Sequence, residues 1–205
     1  MRRSGRPKGT TGQARVLGDE EVEKLLISLF RSPKRNGKRN MAIVVISFRL
    51  GLRAKELASL KIKDVYDGNK CKKTLRLIAE YTKGNKHRDL PLNNELVIET
   101  LNTYIETRKG YDGRTFNIEA PLFRSQKGSY FSPNAMVRVL KNIYTEAGLE
   151  DASSHSGRRS LLTKLANKGV SAFYIRDIAG HSSVVTTQRY IDQNPTVIAD
   201  ILKQL

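Results

Sequence analysis

Hydrophobic positions change their period twice along the chain. Val22, Leu25, Leu26 and Leu29 recur at i, i+3, i+4 and i+7, the spacing of one face of an amphipathic helix. Gly18 stands at its N-cap, Glu21 at the third helical position, and Leu17 is placed to staple onto Val22. Arg31 to Asn40 reads as a basic loop. Asn40 to Leu50 is mostly apolar, as in a buried helix, and Gly51 supplies its C-terminal stop. Arg53 to Leu60 reads as another short helix. The period then shortens. Residues 61–65, 74–80 and 86–92 predict three strands. In the second, Leu75, Leu77 and Ala79 alternate with Arg76, Ile78 and Glu80. Lys83-Gly84-Asn85 is a turn, and Pro91 puts the third strand's end at a sheet edge.

The helical period returns at Asn93 or Asn94, with Val97, Leu101, Tyr104 and Ile105 facing inward as far as Arg108. A loop follows over 110–121. Ser132-Pro133 opens a helix to Ala147, because proline suits the first helical position. Further helices are expected from Ser153 or Ser154 to Lys168, from Ala172 to the stop at Gly180, and after Asn194-Pro195. The last places Ile198, Ile201, Leu202 and Leu205 on one face. The expected fold class is mainly α with a small three-stranded antiparallel β-sheet.

Charge changes the picture. The 205 residues hold 37 Lys and Arg against 20 Asp and Glu, a formal net charge of +17. Such a surplus favours a polyanionic partner, nucleic acid before an anionic membrane. With 39% hydrophobic residues the chain suits one globular domain. The single cysteine, Cys71, excludes a disulfide framework and a cysteine-built zinc site, and His87, His155 and His181 are scattered in sequence. The longest apolar run, Met41 to Leu50, is broken by Ser47 and Arg49 and is too short to span a bilayer. No secretory signal is legible, so a cytoplasmic, nucleoid-associated location is expected. Residues 1–16 read as a flexible basic arm. Its Arg2, Arg3, Arg6 and Lys8 are candidate DNA contacts, and Gly5-Arg6-Pro7-Lys8-Gly9 resembles an AT-hook; a solvated tail is the plainer reading.

Six polar residues stand in informative contexts: Arg53, Lys83, His155, Arg158, His181 and Tyr190. Gly51-Leu52-Arg53-Ala54-Lys55-Glu56-Leu57 resembles the first arginine box of the tyrosine recombinases, the phage-integrase family. Lys83 lies in a stretch, 82–92, similar to that family's lysine-bearing hairpin. His155-Ser156-Gly157-Arg158 resembles its H-x-x-R box. Gly180-His181-Ser182-Ser183, with Tyr190 nine positions after His181, resembles its final box. All occur in the family's order. The resemblance implies the tyrosine recombinase catalytic-domain fold over residues 17–193. It departs at Arg159, where a second histidine is common, and at Gly157, where leucine is common. The family commonly has a core-binding domain upstream; here only the arm precedes Leu17, which reads as a short form.

The resemblance implies site-specific cleavage and rejoining of double-stranded DNA through a 3′-phosphotyrosine, without cofactor, metal or ATP. Arg53 and Arg158 would clamp the phosphate, as two guanidinium forks suit its oxygens. His155 would take the proton of Tyr190, His181 would hydrogen-bond the phosphate, and Lys83, or else Lys86, would protonate the leaving 5′ oxygen. Glu56 would orient a basic neighbour, and Lys86 and Arg159 are further DNA-contact candidates. The helix at 194–205 would dock on a neighbouring protomer of a DNA-bound homotetramer or fold back in cis, and accessory DNA-bending proteins are conceivable partners. A DNA-binding regulator without strand exchange, a type IB topoisomerase and an RNA-binding protein remain alternatives.

Overall fold

A computed structural model describes residues 13–82, 87–125 and 128–191, and for Arg189 and Ile191 the backbone alone. The expected sites Arg2, Arg3, Arg6, Lys8, Lys83 and Lys86, and the helix expected at 194–205, lie outside the described residues. Eleven elements run in chain order: α1 (Asp19–Phe30), α2 (Gly37–Leu50), α3 (Ala54–Ser59), α4 (Ile62–Val65), β1 (Thr74–Leu77), β2 (Arg88–Pro91), α5 (Glu95–Asp112), α6 (Pro133–Glu146), α7 (Ser156–Asn167), α8 (Ala172–Ala179) and α9 (Val184–Ile191).

The apolar run of α2 forms the centre of the core. Ala42 through Phe48, and Leu50, are all buried, and the helix packs against α1, α5 and α7. Leu17 fixes the start of this body: its side chain is buried and its N–H donates to the Ser160 hydroxyl of α7 at 2.8 Å. A smaller apolar cluster, Leu162, Ala166, Ile175 and Ala179, joins α7 to α8, and the Tyr190 ring of α9 packs on it.

Two strands form the sheet among the described residues, not three. β1 and β2 pair antiparallel, with Leu75 opposite Leu90 and Leu77 opposite Arg88. The strand expected at 61–65 is the helical turn α4. Its buried residues, Ile62 and Val65, are three apart, which is a helical spacing, and the Asp64 carboxylate accepts the Lys61 N–H at 2.7 Å as an N-terminal cap. The stretch 74–80 leaves the strand at Leu77 and enters a 3-10 turn, Ala79–Tyr81. Two helices are longer than their patterns indicated: α2 begins at Gly37, inside the expected basic loop, and α5 continues to Asp112. No helix among the described residues is long and apolar enough to cross a membrane.

Candidate active site

Three helix ends meet where the sequence boxes converge. α2 stops at Gly51 and α8 at Gly180, both left-handed with φ of 67° and 60°, a conformation costly for other residues. α7 begins beside them. Arg158, its third residue, is buried and ties the three together: Nη1 donates to the Gly51 carbonyl at 2.7 Å and Nη2 to the Ala179 carbonyl at 2.5 Å. Arg53 caps α3 and donates from Nη2 to the Gly180 carbonyl at 3.2 Å. Burial, then the Arg53 charge, pulls the Arg158 guanidinium down to about 9, so it stays cationic at neutral pH.

Glu56 is the hub beneath Arg53. Fully buried, it accepts the Arg53 N–H at 2.8 Å and Arg53 Nη1 at 2.9 Å. Its two oxygens also take a bidentate pair from Arg88 of β2, 2.9 Å each. Burial favours its neutral form, yet the bonds and charge of Arg88, then those of Arg53, outweigh that and hold it below the usual carboxylate range. The expected orienting role of Glu56 thus has two basic partners. Sequence reading missed Arg88, whose partner lies 32 positions away. The available signal was a buried acid expected to need a second cation. Arg88 also lies against Gly180, where an added Cβ would fall 2.6 Å from its Nη1.

His155 is the N-cap of α7 rather than a residue of its first turn. Its backbone is nonetheless right-handed (φ −96°, ψ −8°), and its carbonyl accepts the Arg159 N–H, so the helical path runs on through Arg158. Its ring opens to solvent on one side. Partial burial and the guanidiniums of Arg158 and Arg53 hold its pKa below 6.5. His181 is drawn down to about 4 by burial and then by Arg158, Arg53 and Arg88. Its Nδ1 lies 3.0 Å from the hydroxyl of Thr187, a fully buried residue of α9. The His181 ring stacks on that of Tyr190, with centroids 6.0 Å apart and planes 13° from parallel.

A cavity of about 220 Å³ opens among these groups, lined by His155, Arg158, Arg159, Thr186 and Tyr190 and, across it, by Gln13 and Ala14. Arg159, an expected DNA contact, donates to the Gln13 side chain. The structure therefore brings five expected residues into one neighbourhood: His155, Arg158 and Tyr190 line the cavity, His181 stacks on Tyr190, and Arg53 meets the Gly180 carbonyl. The neighbourhood holds two guanidiniums, two neutral imidazoles and a phenol, a set suited to gripping a phosphodiester and moving a proton off an attacking hydroxyl. α9, which carries Tyr190 and Thr187, is an element the hydrophobic pattern did not mark.

The fold defines the class first. It matches the crystal structure of XerA recombinase with a TM-score of 0.72 and 24% identity, over 94% of this chain and 66% of that one. It also matches XerH site-specific recombinase bound to palindromic difH substrate in a post-cleavage complex, with a TM-score of 0.72 and 26% identity, over 94% of this chain and 53% of that one. This is the catalytic-domain fold of the tyrosine recombinases. The chain belongs to the phage integrase family, whose model matches residues 15–196. Tyrosine recombinase XerD of Listeria monocytogenes serotype 4b is 30% identical over 199 residues, 97% of this chain and 64% of the relative's length. Tyrosine recombinase XerC of Rhodospirillum centenum is 31% identical over 189 residues, covering 91% and 52%.

Proposed function

We propose that the chain is a tyrosine-type site-specific DNA recombinase or integrase that breaks and rejoins duplex DNA. The observation that carries this reading is the single pocket shared by Tyr190, His155 and Arg158, with His181 stacked on Tyr190 and Arg53 bonded to the Gly180 carbonyl beside it. Tyr190 Oη attacks phosphorus while His155 takes its proton. The Oη–P bond forms, the P–O5′ bond breaks, and a 3′-phosphotyrosine and a 5′-hydroxyl result. Lys83, or Lys86, supplies the proton to the leaving oxygen in this reading. Arg53 and Arg158 neutralise charge on the non-bridging oxygens as it develops. The ester retains the energy of the broken bond, so the reverse attack reseals the strand.

Because the relatives are longer than the region matched here, the whole reaction is assigned on the site and the family together. The partner in this reading is double-stranded DNA, which sets a nucleoid-associated location. The segment 194–205 docks on a neighbouring protomer of a DNA-bound tetramer. Accessory DNA-bending proteins are further partners of such an assembly. A nicked suicide duplex tests the chemistry. A covalent protein–DNA adduct with the wild type and none with Tyr190→Phe is the expected result. Stable duplex binding without any adduct on cognate DNA would instead make the chain a regulator.

A further inference from the structure

A second positively charged cavity lies at the other end of α2. Its volume is about 510 Å³, and its lining includes Arg35, Arg39, Arg108, Tyr111, Asp112 and Arg124, drawn from the start of α2, the end of α5 and the segment after it. Asp112 is the only carboxylate among the lining residues, and both its oxygens are taken. Oδ2 pairs with Arg108 at 2.8 Å and Oδ1 with Arg124. Arg108 is further held by the Pro121 and Leu122 carbonyls at 2.8 Å each. Arg39 donates only to neutral acceptors, the Asn40 side chain at 3.0 Å and the Arg124 carbonyl at 3.2 Å, and lies over the Phe131 ring. Arg35 is exposed, its guanidinium 5.3 Å above the Tyr111 ring.

Among the described lining residues, four guanidiniums thus stand with one carboxylate that pairs with two of them, which leaves three positive charges unbalanced in one recess. Gathering like charges there costs free energy that a bound anion recovers. Arg39, Arg108 and Arg124 are each held by hydrogen bonds, so the inner part of the recess is formed before any ligand arrives, with Arg35 at its exposed rim. Planar forks held at fixed angles suit the oxygens of a phosphate better than a single carboxylate.

We propose that this arginine recess is a second phosphate site, taking a backbone phosphate of the duplex away from the cleaved position. It rests on the reading that the chain handles duplex DNA. The 14 residues of α2 separate it from the catalytic pocket by roughly 21 Å at 1.5 Å per residue. A duplex lying in that direction would cover the distance in about six base pairs, at about 3.4 Å each.

The test uses the whole chain, Arg35→Glu, and Lys70→Glu as a charge-matched control in the exposed turn before β1. Affinity is measured against salt for two duplexes: one ending about three base pairs beyond the cleaved phosphate, the other reaching about ten beyond it on each side. The wild type should bind the longer duplex at least tenfold more tightly. Arg35→Glu should lose most of that gain, and its slope of log affinity on log salt should fall by about 0.9. Lys70→Glu should keep both. If Arg35→Glu keeps the length gain, or loses no more than Lys70→Glu, the proposal is overturned. It is equally overturned if inorganic phosphate alone saturates the wild type but not Arg35→Glu while duplex affinities stay equal, since the recess then serves free phosphate. Trapping on the suicide duplex is scored separately. A wild type that forms no adduct removes the recombinase reading, whereas an unaltered length gain removes only this site.

Discussion

Arg158 is a strut and, in the proposed reaction, a clamp. Its bonds to the Gly51 and Ala179 carbonyls hold two helix ends together, and its guanidinium faces the Tyr190 cavity. Arg158→Ala should lower strand cleavage by about a hundredfold or more, the usual loss for one donor to a developing oxyanion, while duplex affinity largely survives. The orphaned carbonyls should also cost about 1–3 kcal/mol, visible as a lower Tm. Equal loss of binding and cleavage would contradict a transition-state role. His155, held below 6.5, should stay a competent base into mildly acidic medium. Cleavage rates should therefore decline only below pH 6.5; a midpoint at or above that value would contradict the assignment. His181, near 4 when folded and near 6.5 when unfolded, binds fewer protons in the native state between those values. Stability should fall as pH drops from 6.5 toward 4, measurable as a shift in the denaturant midpoint, and the shift should shrink in His181→Gln, leaving the part that His155 contributes. Thr187 holds the His181 ring through Nδ1, so that in the proposed reaction Nε2 would serve the phosphate. Thr187→Val should slow cleavage about fivefold to tenfold, and Thr187→Ser should restore it.

Among the elements, α7 and α2 approach more closely than most helix pairs allow. A Cβ on Gly157 would fall 2.4 Å from Ser47 Oγ and 3.0 Å from the Phe48 ring. A helix-interior glycine ordinarily costs about 1 kcal/mol relative to alanine. Here Gly157→Ala should instead destabilise by about 1–3 kcal/mol through overpacking, and a raised Tm would show that the helices can part. The contact explains why glycine replaces the leucine common at this point of the H-x-x-R box. Most helices were legible because their apolar residues recur every three or four positions, as in α1 and α5, fill the whole element, as in α2, or follow a Ser-Pro start, as in α6. α9 was not. Its Val184-Val185-Thr186-Thr187 opening is β-branched and weakly helical, and its order comes from Tyr190 packing on the Leu162 cluster and Thr187 meeting His181. The residues at 61–65 were misread because Lys-Ile-Lys-Asp-Val is too short to separate period two from period three. Five of the six expected reacting groups fall at one place, while Lys83 lies outside the described residues. Arg88 escaped notice because ion pairing between distant segments leaves no local pattern.

At the scale of the molecule, a net charge of +17 makes affinity for DNA largely a matter of phosphate contacts and released counterions. Deleting residues 2–15 should weaken duplex binding and flatten its dependence on salt; an unaltered slope would mean that the basic arm does not touch DNA. The chain spans 64% of the length of its XerD relative. The proposed grip has two points, the catalytic pocket near Gly51 and the arginine recess near Gly37. In the proposed reaction these helix ends assemble a phosphate clamp around a phenolic nucleophile. Mass spectrometry of the adduct trapped on a suicide duplex tests it most directly. The account predicts one modified peptide, bearing a 3′-linked nucleotide on Tyr190. A nucleotide on any other side chain, or joined through its 5′ phosphate, would contradict it.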